Sequence, residues 1–280
     1  MQRIRHAAVA GTWYPGSEAA LARAVDGHLS RASPDVDDRL DEVVALIAPH
    51  AGLVYSGPVA AHAYCLLRDR AFDVIVLVGP SHFVGFEGIS IYPAGGFQTP
   101  LGIALVDESC ASALMHATPA IRDLAPAHGR EHSLEMQLPF IQRLAPGAKI
   151  VPLVMGSQSA GSARALGEAL ARVVAGRRAL LVASSDLSHY HDAATAARLD
   201  GVVIDHVTRF DADGLQRALD LEPDHACGGG PMVAVMRAAR ALGARDAVVL
   251  KYADSGDVSG DKSSVVGYLA AALGTLKSDV

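Results

Sequence analysis

The sequence has few cysteines, few aromatic residues and no long apolar run, and these shortages exclude several classes of protein. Three cysteines occur, an odd number without paired spacing, so the disulfide framework of a secreted protein is not expected. No apolar run reaches the roughly 18 residues that a membrane helix needs. The apolar stretch Ala7–Ala10 is too short for the core of a signal peptide. We therefore predict a cytoplasmic protein that does not enter a membrane.

Charge of one sign is not concentrated anywhere along the chain. The 24 basic and 30 acidic residues are mixed and give a formal net charge of -6. Without a block of Lys and Arg there is nothing to attract a phosphate backbone, so nucleic acid is not an expected partner. Half of the residues are apolar, and no linker-like stretch interrupts the apolar pattern. These features predict a single domain over residues 1–280.

Short β-branched runs alternate with longer Ala- and Leu-rich segments of helical spacing, a pattern typical of a layered α/β fold with a largely parallel sheet. The predicted strands are Val43–Ala48, Asp73–Val78, Lys149–Met155, Ala179–Ala183 and Val248–Tyr252. The predicted helices are Ser17–Ser30, Pro58–Arg68, Glu108–His116, Arg130–Leu144, Ser162–Ala175, Ala193–Phe210, Ala212–Leu219 and Pro231–Leu242. Val265–Leu273 fits either a strand or a buried helix. The glycines of Gly88–Val106 indicate a hairpin-like insertion antiparallel to the main sheet, which makes the sheet mixed. The polar segment Arg31–Glu42 is expected to be an exposed connection.

Three of the apolar runs are each followed by a short polar loop that contains a histidine. These loops hold His50, His82 and His189. The carboxyl ends of parallel strands line one crevice, so the three loops are expected to meet although they are far apart in the chain. A single histidine after a strand is usually only a loop residue, but three in equivalent positions favour a functional site.

Cys227 stands directly before Gly228-Gly229-Gly230-Pro231, where Pro231 suits the first turn of a helix. A helix N-terminus lowers the pKa of a thiol and favours the thiolate, which is a metal ligand and a nucleophile. The alternative is a small buried cysteine beside glycines that only form a tight turn. The local sequence leaves both interpretations open.

In the predicted helix Arg130–Leu144, His132 and Glu135 are three residues apart and would share one face. Such a pair can bind a metal or exchange a proton, although on an exposed face it is more often solvated. No phosphate-binding loop, dinucleotide fingerprint, nucleophile elbow or zinc-protease helix motif occurs. The sequence therefore gives no support for an ATP-dependent, NAD-dependent or hydrolytic enzyme.

Taken together, an ordered set of motifs resembles the Memo family nearly from end to end. The motifs are Ala8-Val9-Ala10-Gly11-Thr12-Trp13-Tyr14-Pro15, Pro49-His50-Ala51-Gly52 with Tyr55-Ser56-Gly57-Pro58, Gly79-Pro80-Ser81-His82, Arg130-Glu131-His132-Ser133-Leu134-Glu135, Ser184-Ser185-Asp186-Leu187-Ser188-His189-Tyr190, Ala226-Cys227-Gly228, and Tyr252 through Tyr268. The resemblance implies a fold similar to that of the class III extradiol dioxygenases, which are non-haem iron enzymes. It therefore implies a three-layer αβα architecture around a central mixed, largely parallel sheet.

The resemblance also implies a metal site. Its ligands would be His50, His82 and Cys227, where a cysteine replaces the carboxylate of the dioxygenases. A thiolate shifts the preference of such a site towards copper, so iron and copper are both candidates. The acid/base group would be His189 with Asp186 nearby to orient it, and His132 and Glu135 would complete the pocket wall.

For activity, the resemblance points first to a metal-dependent oxidoreductase or dioxygenase-like enzyme. The second hypothesis is a binding or adaptor module that uses the same pocket for a phosphotyrosine-containing peptide or a small anion, aided by the amides before Pro231. A third is a vestigial site kept for stability. The resemblance implies radical-SAM and AMMECR-type proteins as partners, beside a small-molecule or peptide ligand.

Overall fold

The structure is a computed structural model that describes residues 3–32 and 40–277. Its strands are β1 (Ile4–Arg5), β2 (Leu40–Ala48), β3 (Val74–Pro80), β4 (Ile89–Ile91), β5 (Gly96–Thr99), β6 (Gly102–Leu105), β7 (Ile121–Asp123), β8 (Lys149–Met155), β9 (Ala179–Ser184), β10 (His189–His191), β11 (Asp246–Asp254) and β12 (Val265–Leu276). Its α-helices are α1 (Glu18–Arg31), α2 (Leu53–Tyr64), α3 (Glu108–Ala117), α4 (Pro126–Gly129), α5 (Leu138–Leu144), α6 (Ala160–Val174), α7 (Ala193–Thr208), α8 (Ala212–Leu221), α9 (Gly229–Ala241) and α10 (Gly256–Ser259). Most of the predicted connection Arg31–Glu42 falls on residues 33–39, outside the described residues.

A nine-stranded mixed sheet forms the centre of the molecule, in the order β10-β12-β2-β9-β3-β8-β4-β7 with β11 paired to β12. Strands β2, β9, β3 and β8 run parallel. Strand β12 is antiparallel to its neighbours, and β4 is antiparallel to β8. Helix α9 packs against β9 and β2, and α2 packs against β12 and β2. The predicted three-layer αβα architecture with a mixed sheet is confirmed.

The parallel strands are buried along most of their length, which explains why they read as continuous apolar runs rather than as alternating ones. Every residue of β3 is buried. In the register of the sheet, Ala48 of β2 lies opposite Ser184 of β9, and Val78 of β3 lies opposite Ala183. The loops that follow these strands therefore begin at the same edge of the sheet.

Two segments have structures that the sequence pattern alone did not determine. The ambiguous run Val265–Leu273 belongs to β12, which is almost entirely buried between β11 and β2. The insertion Gly88–Val106 is divided between two sheets: β4 joins the central sheet, whereas β5 and β6 form a hairpin that pairs with β1 in a separate three-stranded sheet. Within the described chain, no helix has the length and apolar character needed to cross a bilayer.

The predicted helix Arg130–Leu144 is wrong in its first half. Residues 130–134 form a loop, a 3-10 helix follows at Glu135–Gln137, and α5 begins only at Leu138. Pro139 lies in the first turn of α5, where its missing N–H has no partner to lose. The loop also places backbone N–H groups of His132 and Ser133 on the Glu131 carboxylate, which is a local alternative to helical hydrogen bonds.

Candidate metal centre

Three histidines converge at the edge of the sheet where the parallel strands end. His50 follows β2, His82 follows β3, and His132 lies in the loop 130–134. One ligand atom from each of the three lies within 4.8 Å of the others, and residues 3–32 and 40–277 contain no other group of three or more His, Cys, Asp or Glu side chains this close together. The His82 and His132 rings stack with centroids 4.6 Å apart, and the His50 ring meets His82 edge-on at 5.2 Å. The arrangement can hold a metal ion.

Hydrogen bonds determine which nitrogen of His50 is free. The Ser184 hydroxyl donates to the Ser133 carbonyl at 2.6 Å and accepts from Gln137 Nε2 at 2.7 Å. The orientation of the Gln137 amide is set because Nε2 also donates to the Pro49 carbonyl. Ser184 Oγ can therefore only accept from His50 Nδ1, which lies 2.9 Å away. The proton of His50 is on Nδ1, and Nε2 keeps its lone pair for a metal.

His82 is held in the same tautomer by Glu131. Its Nδ1 lies 2.9 Å from Glu131 Oε1, and its backbone N–H donates to Oε2 at 2.6 Å. Burial would raise the pKa of Glu131, but the hydrogen bond and charge of His82 and the backbone N–H groups of His82 and Ser133 lower it to about 2. The ionised carboxylate accepts the Nδ1 proton and leaves Nε2 of His82 free. A carboxylate–histidine pair of this kind is the usual support of a metal-binding imidazole.

His132 is packed against aromatic rings rather than held by a strong hydrogen bond from its side chain. Its ring centroid lies 4.2 Å from that of Trp13 at a tilt of 52°, and its ring stacks with that of His82. Its Nδ1 is buried and has no hydrogen-bond partner among the described residues. Burial, and then the charge of His82, lowers the pKa of His132 to about 4. Burial also lowers the pKa of His50 well below its usual value. Both imidazoles are neutral at pH 7, as a metal ligand must be.

Cys227 adjoins this group on the side of His50. Its Sγ lies 3.3 Å from His50 Nε2 and accepts the backbone N–H of Asp186 at 3.3 Å. The sequence predicts a thiol whose pKa is lowered by the helix N-terminus of α9, but burial and the charge of Asp186 raise the pKa of Cys227 instead. The thiol proton can therefore be donated to the His50 lone pair. A coordinated cation would lower the pKa of Cys227, because a cation deprotonates a ligating thiol.

Asp186 and His189 line the same cavity but do not form the pair that the resemblance implies. Asp186 Oδ1 accepts the backbone N–H groups of His50 at 2.7 Å and Ala51 at 3.3 Å, so the carboxylate shapes the loop of His50. Burial raises the pKa of Asp186 to about 7. His189 is oriented by the carbonyl of Leu187, which accepts from Nδ1 at 2.8 Å. Nε2 of His189 therefore remains available as a proton acceptor, and burial keeps its pKa lowered.

Glu135 differs most from its predicted place, because it is completely buried and does not line the cavity. Its carboxylate forms an ion pair with Arg5 and accepts the backbone N–H of Ala8 at 2.8 Å and the hydroxyl of Tyr14 at 2.5 Å. The predicted shared face of His132 and Glu135 required a helix that the loop 130–134 does not form. Glu135 instead ties the N-terminal segment, with Trp13, to the wall of the site.

The cavity has a volume of about 670 Å³ and is lined by the three imidazoles, Cys227, Asp186 and His189. A second cavity of about 530 Å³ lies next to it, and Trp13 and Tyr190 line both. Trp13 and Tyr190 are 38% and 77% exposed, so aromatic surface faces solvent beside the candidate metal centre. The space is large enough for a small organic ligand beside an ion.

Sequence reasoning on the residues alone missed the groups that support the imidazoles. Glu131 and Ser184 stand inside the quoted motifs, yet neither was assigned a role, and Gln137 was not noticed. Glu131 could have been found, because an acidic residue next to a candidate ligand is a natural partner for an imidazole N–H. Gln137 carries no such signal, since its contact with Ser184 joins the 3-10 helix Glu135–Gln137 to a residue 47 positions away in the sequence.

Comparison with known proteins finds one family over nearly the whole chain. The model of the Memo-like protein family matches residues 5–272. A MEMO1 family protein of Methanosarcina mazei is 39% identical over 270 residues, which cover 95% of this chain and 98% of that protein. A MEMO1 family protein of Methanothermobacter thermautotrophicus, MTH_45, is 38% identical over 272 residues with the same coverage. The crystal structure of the uncharacterized protein JW3007 from Escherichia coli K12 superposes with a TM-score of 0.53 at 16% identity, over 81% of this chain and 99% of that chain, and supports the fold alone.

Proposed function

Because the chain belongs to the Memo family, we propose that it is a metal-dependent oxidoreductase or dioxygenase-like enzyme that uses iron or copper. The proposed ligands are His50, His82 and Cys227, and His189 is the proposed proton-transfer group. The observation that carries the proposal is that hydrogen bonds at Nδ1 hold the converging imidazoles of His50 and His82 and leave Nε2 free, with Cys227 Sγ 3.3 Å from His50 Nε2. Residues held in this way from outside the site are preorganised for a metal.

The donor set fits a redox-active transition metal. Imidazole binds iron and copper, and a thiolate adds affinity for copper in its lower oxidation state. When bound, such a metal would supply electron transfer and a coordination position for oxygen. His189 would accept a proton from a substrate in the cavity through Nε2, because Nδ1 is occupied by the Leu187 carbonyl. Trp13 and Tyr190 would cover the substrate and limit the access of water.

Metal analysis of the purified protein tests the proposal. We expect close to one iron or copper ion per chain, loss of most of it in His50→Ala and His82→Ala, and loss of most of the copper in Cys227→Ala. His191→Ala is the matched control, because His191 lines the same cavity outside the convergent group. Full metal retention in all three ligand variants would overturn the proposed ligand set.

Oxygen consumption with a panel of catechols tests the reaction class. We expect turnover with at least one aromatic diol, and a loss of about 10²- to 10⁴-fold in kcat in His189→Ala, the usual contribution of a general base. His189→Ala should retain its metal. A metal-loaded protein that consumes no oxygen with any member of the panel would argue against the dioxygenase-like reading.

The second candidate function is a binding or adaptor module for a phosphotyrosine-containing peptide. The second cavity and the exposed aromatic side chains of Trp13 and Tyr190 favour it, because a peptide needs more surface than a small substrate. Calorimetric titration of metal-free protein with a phosphotyrosine peptide separates the two functions. Binding that is retained without metal, together with no oxygen consumption, would favour the adaptor.

A further inference from the structure

Resting on the metal site proposed above, we infer that His132 and Cys227 are alternative third ligands to the pair His50 and His82. Three imidazoles would hold a borderline divalent cation, whereas two imidazoles and the Cys227 thiolate would hold a soft monovalent cation. The site would thereby accept two classes of metal through two ligand sets, and His132 would determine the affinity for the divalent class.

The case for His132 is its geometry. Its ligand atom lies within 4.8 Å of those of His50 and His82, a closeness that Cys227 does not share with that pair. Its Nδ1 is buried without a hydrogen-bond partner in the described chain, 3.8 Å from Glu131 Oε1. A buried polar atom without a partner destabilises a protein unless something else satisfies it. A metal bound to Nδ1 would satisfy this atom and would account for keeping the imidazole here.

The case for Cys227 rests on a different contact. Its Sγ lies 3.3 Å from His50 Nε2, the nitrogen whose lone pair is free. A nitrogen at about 2.0 Å and a sulfur at about 2.3 Å from one tetrahedral ion stand roughly 3.5 Å apart. The spacing of these atoms is therefore already close to that of two ligands on one metal. Coordination would replace the weak hydrogen bond from the thiol to His50.

The two ligand sets differ in softness, and softness separates metals. Imidazole suits Zn(II), Fe(II) and Co(II), whereas a thiolate strongly favours Cu(I). The His132 ring stacks on His82 and contacts Trp13 at a tilt of 52°. Cys227 sits in the loop before α9, where Gly228 makes the turn. Each candidate third ligand comes from its own segment of chain, so each can be removed without removing the other.

Metal titrations of variants test the inference with readouts independent of activity. The probes are Co(II), followed by its visible and near-ultraviolet absorption, and Cu(I), measured anaerobically against a chromophoric chelator. In wild-type protein, we expect a Co(II) spectrum without the intense thiolate charge-transfer band. His132→Ala should weaken Co(II) binding by at least about a hundredfold, since even the loss of a supporting residue costs 10- to 100-fold, and should change Cu(I) binding by no more than about threefold.

Cys227→Ser should show the opposite pattern, with weakened Cu(I) binding and unchanged Co(II) binding. His191→Ala is the control for adding a cavity and should change neither. His132→Gln guards against misfolding of the alanine variant, and thermal melts show whether each variant is folded. Co(II) binding in His132→Ala and His132→Gln that equals that of wild type, or a thiolate band in wild type that disappears in Cys227→Ser, would overturn the inference. Wild-type protein that binds neither probe would instead overturn the proposed metal site itself.

Discussion

Glu131 supports two of the three convergent histidines, His82 through its ring and His132 through its backbone. Its carboxylate accepts the backbone N–H and Nδ1–H of His82 and the backbone N–H of His132. The side chain is almost completely buried, and these hydrogen bonds keep it ionised. The Glu131 carboxylate therefore orients the His82 ring and fixes the backbone at His132. Its negative charge would also offset part of the charge of a bound cation.

Glu131→Gln tests this role at nearly constant size. The amide is neutral and can turn its NH₂ group towards His82 Nδ1, so the imidazole loses its fixed tautomer. We expect a 10- to 100-fold loss of Co(II) affinity, the usual effect of removing a supporting carboxylate. Glu168→Gln on the exposed surface of α6 is the control and should bind as wild type does. An unchanged affinity in Glu131→Gln would show that packing alone positions the ligands.

Asp107 carries a role in stability that is separate from the site. Its carboxylate caps the N-terminus of α3 by accepting the Cys110 N–H at 2.9 Å, and it pairs with Arg177 at 2.5 Å. Burial acts to raise the pKa of Asp107, but the hydrogen bonds from Ser109, Cys110 and Arg177 outweigh it and lower the pKa to about 2. Because the pKa is lowered in the folded state, the stabilisation is complete above the ordinary value near 3.8 and is lost as the pH falls towards 2.

Asp107→Asn isolates the charge, since asparagine can still cap the helix. We expect the variant to be less stable than wild type by about 1 kcal/mol at pH 7, as for a partly exposed ion pair. The difference should shrink as the pH is lowered from 4 to 2, when the wild-type carboxylate takes up its proton. Urea unfolding at a series of pH values measures it. A difference that stays constant over this range would contradict the assigned pKa.

At the scale of elements, two glycines let the ligand-bearing loops approach the sheet edge. A Cβ atom on Gly79, at the end of β3, would lie 2.6 Å from Ser133 Oγ and 2.9 Å from Leu134, in the loop that carries His132. A Cβ atom on Gly228, just before α9, would lie 2.5 Å from the Ser184 carbonyl at the end of β9. Each glycine thus allows one close approach, the first for the His132 loop and the second for the Cys227 loop.

Alanine at either position should weaken the binding of one metal and leave that of the other nearly unchanged. Gly79→Ala pushes the His132 loop outward, so we expect weaker Co(II) binding and nearly unchanged Cu(I) binding. Gly228→Ala displaces the Cys227 loop and should weaken Cu(I) binding instead. Competition titrations with both metals measure the effects.

Gly201→Ala in the middle of α7 is the control, because nothing lies within 4 Å of the added Cβ. It should leave both affinities unchanged and stabilise the helix by about 0.5–1 kcal/mol. Equal losses for both metals in Gly79→Ala and Gly228→Ala would mean that the loops move together.

At the scale of the whole molecule, the sheet could be predicted because its strands are short, apolar and separated by helices. Lys149–Met155 was placed at its observed limits, and Val43–Ala48 lies inside β2. The convergence of His50 and His82 followed from the parallel direction of β2 and β3. Glu135 could not be placed, because its ion pair with Arg5 spans 130 residues and no local pattern reveals such a contact.

The position of the third imidazole, His132, could not be predicted from local sequence patterns. His132 was singled out for a helical spacing that does not exist, yet it reaches the cavity because the loop 130–134 folds around the Glu131 carboxylate. A short polar segment can satisfy its backbone through its own side chains, and propensity does not reveal which choice it makes. The family motif located His132 correctly near the pocket, whereas the periodicity gave the wrong reason.

A metal that binds at the meeting point of β2, β3 and the loop 130–134 joins distant parts of the chain, so it should stabilise the entire fold. Binding to the native state alone adds about 2.7 kcal/mol when the free metal is 100-fold above Kd. For a chain of 280 residues, each kcal/mol of added stability raises Tm by roughly 2–4 °C. We therefore expect a rise of about 5–10 °C with saturating Co(II). Differential scanning calorimetry with and without metal, at fixed scan rate, measures the shift. His50→Ala removes the imidazole common to both ligand sets and should lose most of it, and an equal rise in this variant would place the stabilising ion elsewhere.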